Sequence, residues 1–378
     1  MTIEEEIIKE YEKKLIYAWS KANTKSKKKR LMYDLASFSM LSSLYPRIAK
    51  EYNWEGNKSY LELFEDENIL FLNNVMANKE IFLPTFENVI NMFKIIDFPF
   101  YKDYKKKDRK LTDKESQEIM FSFLNEYNPN MLRKYMELIK EGKLFQNNPL
   151  GSSALFCSLD TLNEGFIYPI TDIENSIYKS SLLAHEIGHY FEVETFYQTK
   201  CNNFRRLVNT LPFYEVFSRT FEYAYLRYLI ENNIYIEDTK LTLRKYYIDL
   251  LINSFDINLI YKLKNININE HNCIELNDEK VIEYANKIMD ELNFANLYTE
   301  KGDMFDFKGS FVYGIGNLFS IYMYESYKNA PNNYRKEVRN TILNYPYTEG
   351  ISAFERVGII PDVLIKGDIL KKELIKSR

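Results

Sequence analysis

The sequence predicts a mainly α-helical protein with a small β-hairpin or edge sheet set just before one of its central helices. Three observations carry this expectation. Glycine and proline are scarce, 12 and 10 in 378 residues, which disfavours the many tight turns of an all-β barrel or sandwich. Apolar residues recur at helical spacing along most of the chain. One stretch, 148–170, departs from that pattern, with Gly, Ser and Pro around two short apolar runs.

In chain order, residues 3–19 carry Ile3, Ile7, Ile8, Tyr11, Leu15, Ile16 and Trp19 at helical spacing with Glu and Lys between them, an amphipathic helix. Similar patterns predict helices over 31–51, 59–78, 85–97 and 113–142, with the basic segment 101–112 as an exposed loop. The runs 154–159 and 165–170, separated by Asp-Thr-Leu-Asn-Glu-Gly, predict a hairpin or two edge strands. Helix is expected again over 174–197, 211–232 and 239–263, and 264–277 reads as a polar loop. Further helices are expected over 278–294 and 310–328, and the tail 332–378 reads as helical with loops around Pro346 and Pro361. No fixed-period repeat and no clear linker is visible. The expected organisation is a helical N-terminal region, 1–147, and a second region, 148–378, forming one compact unit with the first.

Composition narrows the class. With 46% hydrophobic and 28% charged residues the chain can support a buried interior, which excludes general disorder. A net charge of −4 carries no nucleic-acid signature. The basic clusters at 25–30 and 105–110 read as solvated loops. Three widely spaced cysteines, Cys157, Cys201 and Cys273, form no disulfide framework and suit free thiols in a reducing compartment. The N-terminus is acidic and amphipathic, unlike a secretory signal. No apolar run approaches the roughly 18 residues that span a membrane. The expectation is a cytoplasmic protein with neither nucleic acid nor membrane as partner.

Only three histidines occur, and two of them lie in Ala-His-Glu-Ile-Gly-His, residues 184–189. On a helix, His185 and His189 are about 40° apart and one turn along the axis, so both imidazoles project from one face and suit one Zn²⁺. Glu186 lies beside the pair, where it reaches a zinc-bound water whose pKa the metal lowers; accepting that water's proton permits attack on a peptide carbonyl. The apolar flanks, Ser-Ser-Leu-Leu-Ala before and Tyr-Phe after, imply a buried helix, where histidines without partners would be costly. A catalytic zinc needs a third protein ligand and an open position. The remaining histidine, His271, lies in a polar loop and reads as solvent-exposed, so the third ligand is expected to be a carboxylate. Downstream, Glu215, Ser218 and Glu222 share one helical stripe beside Phe217 and Phe221. One of these glutamates would bind the metal, and the other would accept the ring N–H of a ligand histidine. Glu192 and Glu194 compete for the ligand role, although they share the histidines' helix and Glu192 would have to bend back to the metal.

HEIGH followed by Glu-Val-Phe-Ser and a second glutamate seven residues after the first resembles the oligoendopeptidase F and thimet oligopeptidase family of zinc metallopeptidases. The resemblance implies that His185, His189 and Glu215 bind zinc, that Glu186 is the base, and that Glu222 is the carboxylate supporting a ligand histidine. It runs from about 150 to 362: Gly-Phe-Ile-Tyr-Pro-Ile-Thr-Asp (165–172) resembles the family's strand before the zinc helix, and Ser-Ala-Phe-Glu-Arg-Val-Gly (352–358) its closing segment. Residues 305–320 resemble the aromatic segment in which the family places a tyrosine that binds substrate or stabilises the oxyanion, and Tyr313 is the candidate. The chain departs from the family in carrying Glu192 where a further histidine often follows the motif, in lacking any histidine after His271, and in its short length.

Two more expectations concern substrate. An extended peptide pairs through its backbone with an exposed edge strand, for which 165–170 is the candidate. Gly314 and Gly316 would let the backbone approach such a peptide. The resulting expectation is a multi-helix zincin-type metallopeptidase, a zinc metalloendopeptidase of oligopeptidase type acting on short peptides, with one zinc ion. The rivals are a carboxypeptidase of the same metal chemistry and a lapsed zinc- or peptide-binding protein. The intact Glu186 argues against the latter.

Overall fold

In the computed structural model the described residues lie within 3–38, 69–98, 109–145, 154–199, 212–268, 273–292, 304–339 and 350–377, with single positions inside these spans excepted. Residues 39–51 of the helix expected over 31–51, residues 59–68 of that expected over 59–78, residues 101–108 of the basic loop 101–112, Cys201, His271 and the loop around Pro346 fall outside the described residues. The rest is mainly helical, as the sequence predicts, with two short antiparallel strand pairs. No helix among the described residues is long and apolar enough to cross a membrane. Two compact units make up the chain, Met1–Asp66 with Lys110–Cys201 and Glu67–Arg109 with Asn202–Arg378.

In the first unit, helix α1 (Ile3–Lys21) packs Tyr11, Leu15 and Trp19 against a hairpin of β1 (Leu155–Leu159) and β2 (Glu164–Tyr168). Phe166 sits at the centre of this core, fully buried, with the Tyr11 ring edge-on at 4.9 Å; a phenyl group so placed contributes about 2–3 kcal/mol through burial. Buried Asp34 secures the hairpin turn by accepting from the Thr161 N–H at 2.9 Å and from its hydroxyl. The expected helix over 113–142 is two helices, α2 (Asp113–Tyr127) and α3 (Pro129–Lys140). The break has a local cause. Asn128 is extended, its side chain accepts from the Asn130 N–H, and Pro129 takes the first helical position, where its missing N–H costs nothing. A Thr112–Glu115 capping box starts α2. Helix α4 (Ile177–Thr199) carries the HEIGH motif and completes the unit, with the Ser116 and Ser180 hydroxyls 2.8 Å apart between α2 and α4.

In the second unit, α5 (Lys79–Ile96), α6 (Val216–Glu231), α7 (Ile236–Lys262) and α9 (Phe307–Tyr327) form the body, joined by α8 (Glu279–Glu291). Helix α9 packs on both α6 and α7, and α5 on α7. Residues 264–277 are not wholly loop: β3 (Cys273–Glu275) pairs with β4 (Met304–Asp306). Three-residue strands are too short to leave a periodic signal. The chain ends in α10 (Pro361–Lys366) and α11 (Asp368–Ser377). Glu373 fastens α11: only 2% exposed, it accepts from the Tyr223 hydroxyl at 2.9 Å, Arg227 Nη1 at 3.0 Å and Lys376 Nζ at 2.6 Å. Burial pushes its carboxyl up, but Lys376, Arg227 and Tyr223 outweigh this and hold it below the usual carboxylate range.

Because that carboxyl titrates lower in the folded chain than in the unfolded one, its contribution is present above the unfolded value of about 4.3 and is lost as pH falls through the folded value. Glu373→Ala is therefore expected to lower the free energy of unfolding by about 3 kcal/mol at neutral pH, because Arg227 Nη1 loses its 3.0 Å acceptor and the guanidinium keeps only the 3.5 Å contact of Nη2 with Glu231. The deficit should shrink on acidification in urea unfolding followed by circular dichroism. A loss below about 1 kcal/mol at neutral pH would contradict the role given to Glu373.

Candidate metal centre

Helix α4 is built to be surrounded. Ile177, Ala184, Ile187, Phe191 and Val193 are buried, and so are His185, Glu186, His189 and Glu192. Helical spacing brings the two imidazoles together edge to face, with ring centroids 4.9 Å apart and planes at 84°. The hairpin holds the second ring: Phe156 of β1 stacks on His189 at 6.0 Å with 14° between the planes. Gly165 of β2 makes room for this, since a Cβ there would lie 2.8 Å from Phe156 Cε2 and 2.9 Å from its Cζ. Sequence reasoning missed both residues.

The competing carboxylates on α4 separate clearly. Glu194 pairs with Lys134 at 3.1 Å. Glu192 places Oε2 3.6 Å from His189 Nδ1, longer than a hydrogen bond.

On α6, Glu215 stands at the N-cap position, where its carboxylate Oε2 accepts from the Ser218 hydroxyl at 2.9 Å. Gly316 of α9 lies directly against it. A Cβ on Gly316 would be 2.8 Å from Glu215 Cβ and 3.3 Å from Arg219 Cγ. Gly314 meets α7 in the same way, with Ile257 Cδ1 at 2.7 Å and Asn253 Cβ at 3.2 Å. Both glycines therefore serve helix–helix contact, not the approach of a peptide.

Glu222, one helical repeat beyond Glu215, accepts from Arg219 Nη1 at 2.8 Å, and both side chains are nearly buried. The Arg219 guanidinium also lies 4.9 Å from the Tyr313 ring centroid and 5.8 Å from that of Tyr246. Burial works against its charge, but Glu222, then Tyr246, Tyr313 and Glu215, hold its pKa above the ordinary arginine value, so it stays a cation. Burial also pushes the nearby Asp249 carboxyl up to about 6, against the pull of Arg219. Tyr313 is 39% exposed on a helix that is otherwise largely buried. Arg219 was legible in principle: it stands four residues after one glutamate and three before the other, the two spacings at which helical side chains meet.

On α4, His185 and His189 are buried and each offers a ring nitrogen; at the start of α6, Glu215 is buried and offers a carboxylate oxygen. Two imidazoles and a carboxylate are also the donor set that zinc accepts in hydrolytic sites.

The hairpin corrects the expected peptide edge. The Ile167 N–H donates to the Lys143 carbonyl at 3.0 Å, and the Phe145 N–H donates to the Ile167 carbonyl at 2.9 Å. Strand β2 thus has neighbours on both sides. Since hydrogen-bonded pairs alternate in an antiparallel ladder, Leu155, Cys157 and Leu159 face β2, and the backbone groups of Phe156 and Ser158 point to the outer edge of β1. Among the described residues no strand pairs with that edge.

No family model and no curated protein matches the chain. Among solved structures, the fold is similar to that of a "putative peptidase" from Chlamydophila abortus, with a TM-score of 0.52 and 15% identity over 82% of this chain. The chain spans 56% of that protein's length. A "putative oligoendopeptidase F" from Bacillus anthracis str. Ames aligns over 95% of this chain and 68% of its own, with a TM-score of 0.49 and 10% identity. The first likeness is one of fold, mainly helical with a small sheet.

The close approach at Gly316 yields a test. Gly→Ala inside a helix ordinarily stabilises by up to about 1 kcal/mol. Gly316→Ala is expected to do the opposite and cost about 2 kcal/mol in guanidinium unfolding, because α9 must move off Glu215. A stabilised variant would show that the two helices are not in contact there.

Proposed function

We propose that this chain is a zinc-dependent metallopeptidase of the kind its motifs resemble, the oligoendopeptidase F and thimet oligopeptidase family, and that it hydrolyses peptide bonds within short peptides. The observation that carries the reading is the buried pair His185 and His189 one helical turn apart on α4 with Glu186 beside the first, together with the buried Glu215 at the start of α6. His185, His189 and Glu215 would hold the zinc, which when bound lowers the pKa of water and polarises a carbonyl.

The remaining work belongs to the chain's own side chains. A Glu186 carboxylate oxygen accepts the proton of the attacking water and later delivers it to the leaving amine. Phe156, stacked on His189, limits the ring's rotation. Ser218 holds the Glu215 carboxylate from the side through its hydroxyl. Glu222 completes the acidic support, its charge balanced by Arg219. Tyr313 donates its hydroxyl to the oxyanion that develops on the scissile carbonyl. The outer edge of β1 offers the backbone groups of Phe156 and Ser158 to an extended peptide, which sets the substrate alongside the helix that carries His189.

The test is a pair of proteins and a mixture of peptides of graded length, read by mass spectrometry. Glu186→Gln is expected to retain one zinc per chain and lose turnover by about a thousandfold, within the range for a general base. Wild type should make internal cuts. Turnover of the variant within about tenfold of wild type would defeat the role of Glu186. Loss of single residues from one end would convert the reading to an exopeptidase of the same metal chemistry.

A further inference from the structure

Beyond the groups that meet metal and water, we propose that Arg219 is a positioning residue for the reaction, acting through Tyr313: the buried guanidinium fixes the phenol from beneath while it holds Glu222. The proposal rests on the peptidase reading above.

Three helices converge on this side chain. From its own helix, α6, Glu222 accepts from Nη1 at 2.8 Å. From α9, the Tyr313 ring lies 4.9 Å from the guanidinium carbon, and from α7 the Tyr246 ring lies at 5.8 Å. Tyr246 is itself fixed, its hydroxyl 2.5 Å from that of Ser320 on α9. Gly316 keeps α9 close enough for this contact, with its Cβ position 3.3 Å from Arg219 Cγ. Glu215 at the start of α6 and Asp249 on α7 also feel the charge of Arg219.

An arginine needed only to fill this space would be a poor choice. Its Nε is buried and has no hydrogen-bond partner among the described residues. Leaving a guanidinium N–H unsatisfied is unfavourable, and buried ion pairs are commonly replaced by apolar side chains without loss of stability. What the guanidinium does supply is one planar cation that contacts Glu222 and an aromatic ring together. Tyr313 is the side chain that gains from it. At 39% exposure it stands out on α9, where the neighbouring Ser310, Phe311, Gly314, Ile315 and Asn317 are buried. A tyrosine so exposed samples several rotamers unless its ring is held, and a cation against the ring holds one. A phenol that acts in the transition state gains rate from that restriction without gaining substrate affinity.

The experiment is a double-mutant cycle on zinc-loaded protein with a peptide that wild type cuts: wild type, Arg219→Lys, Tyr313→Phe and the double variant. Arg219→Lys is expected to lower kcat about tenfold with KM changed by less than about twofold, as for an interaction made only in the transition state. In the Tyr313→Phe background the same change should alter kcat by less than about twofold. Equal losses in both backgrounds, or a loss confined to KM, would overturn the role of Arg219 and leave the peptidase reading intact. A wild type that binds zinc and cuts no peptide overturns both.

A readout independent of zinc and turnover accompanies the cycle. With 3-fluorotyrosine at position 313 of the metal-free protein, the ¹⁹F resonance should shift and broaden in Arg219→Lys. An unchanged line would count against the proposal. Should Arg219→Lys fail to fold, Arg219→Gln takes its place in both measurements.

Discussion

Within residues 185–192, helix α4 buries two histidines and two glutamates, and this burial is the constraint on which the rest of the structure depends. Each buried polar group without a partner costs about 1–3 kcal/mol, and more when charged. A helix bearing four buried polar side chains is tolerable only if the surroundings answer them. Phe156 packs flat on the His189 ring, and Glu192 Oε2 lies 3.6 Å from that ring's Nδ1. A metal ion would answer both imidazoles at once. The same logic governs the start of α6, where Glu215 has the Ser218 hydroxyl and Glu222 has Arg219.

Such sites need close approach, and two glycines supply it in separate units. Gly165 lets Phe156 lie against the helix of the histidines. Gly316 lets α9 lie against Glu215 and Arg219. Neither glycine occupies a left-handed turn; each matters because it lacks a Cβ. The chain can thus be poor in glycine and still place glycines where packing leaves little room for an added methyl group.

Much of this was legible in the sequence, and the limits have physical causes. The HEIGH spacing announces its own geometry, because a helix must bring residues four apart onto one face. The hairpin announced itself through Gly, Ser and Pro around short apolar runs. Which strand keeps an open edge did not: that depends on the bridge between Leu144 and Ile167, a contact between segments whose pairing leaves no local signal. The division at Asn128–Pro129 was readable as a cap followed by proline, and the apolar period running through it concealed it. The helix-packing roles of Gly314 and Gly316 depend on which helices lie opposite, which periodicity alone does not reveal. The spacing of Arg219 from the two glutamates was visible, but its burial was not, since arginine in a helix ordinarily faces water.

The central claim is that two imidazoles and one carboxylate of this chain hold a single zinc ion. Zinc K-edge X-ray absorption on the purified protein, with metal content measured on the same sample, tests it most directly. The account predicts one zinc per chain with two imidazole nitrogens and carboxylate or water oxygen at about 2.0–2.2 Å. A sulfur shell at about 2.3 Å, or no stoichiometric zinc in protein supplied with the metal, would contradict it.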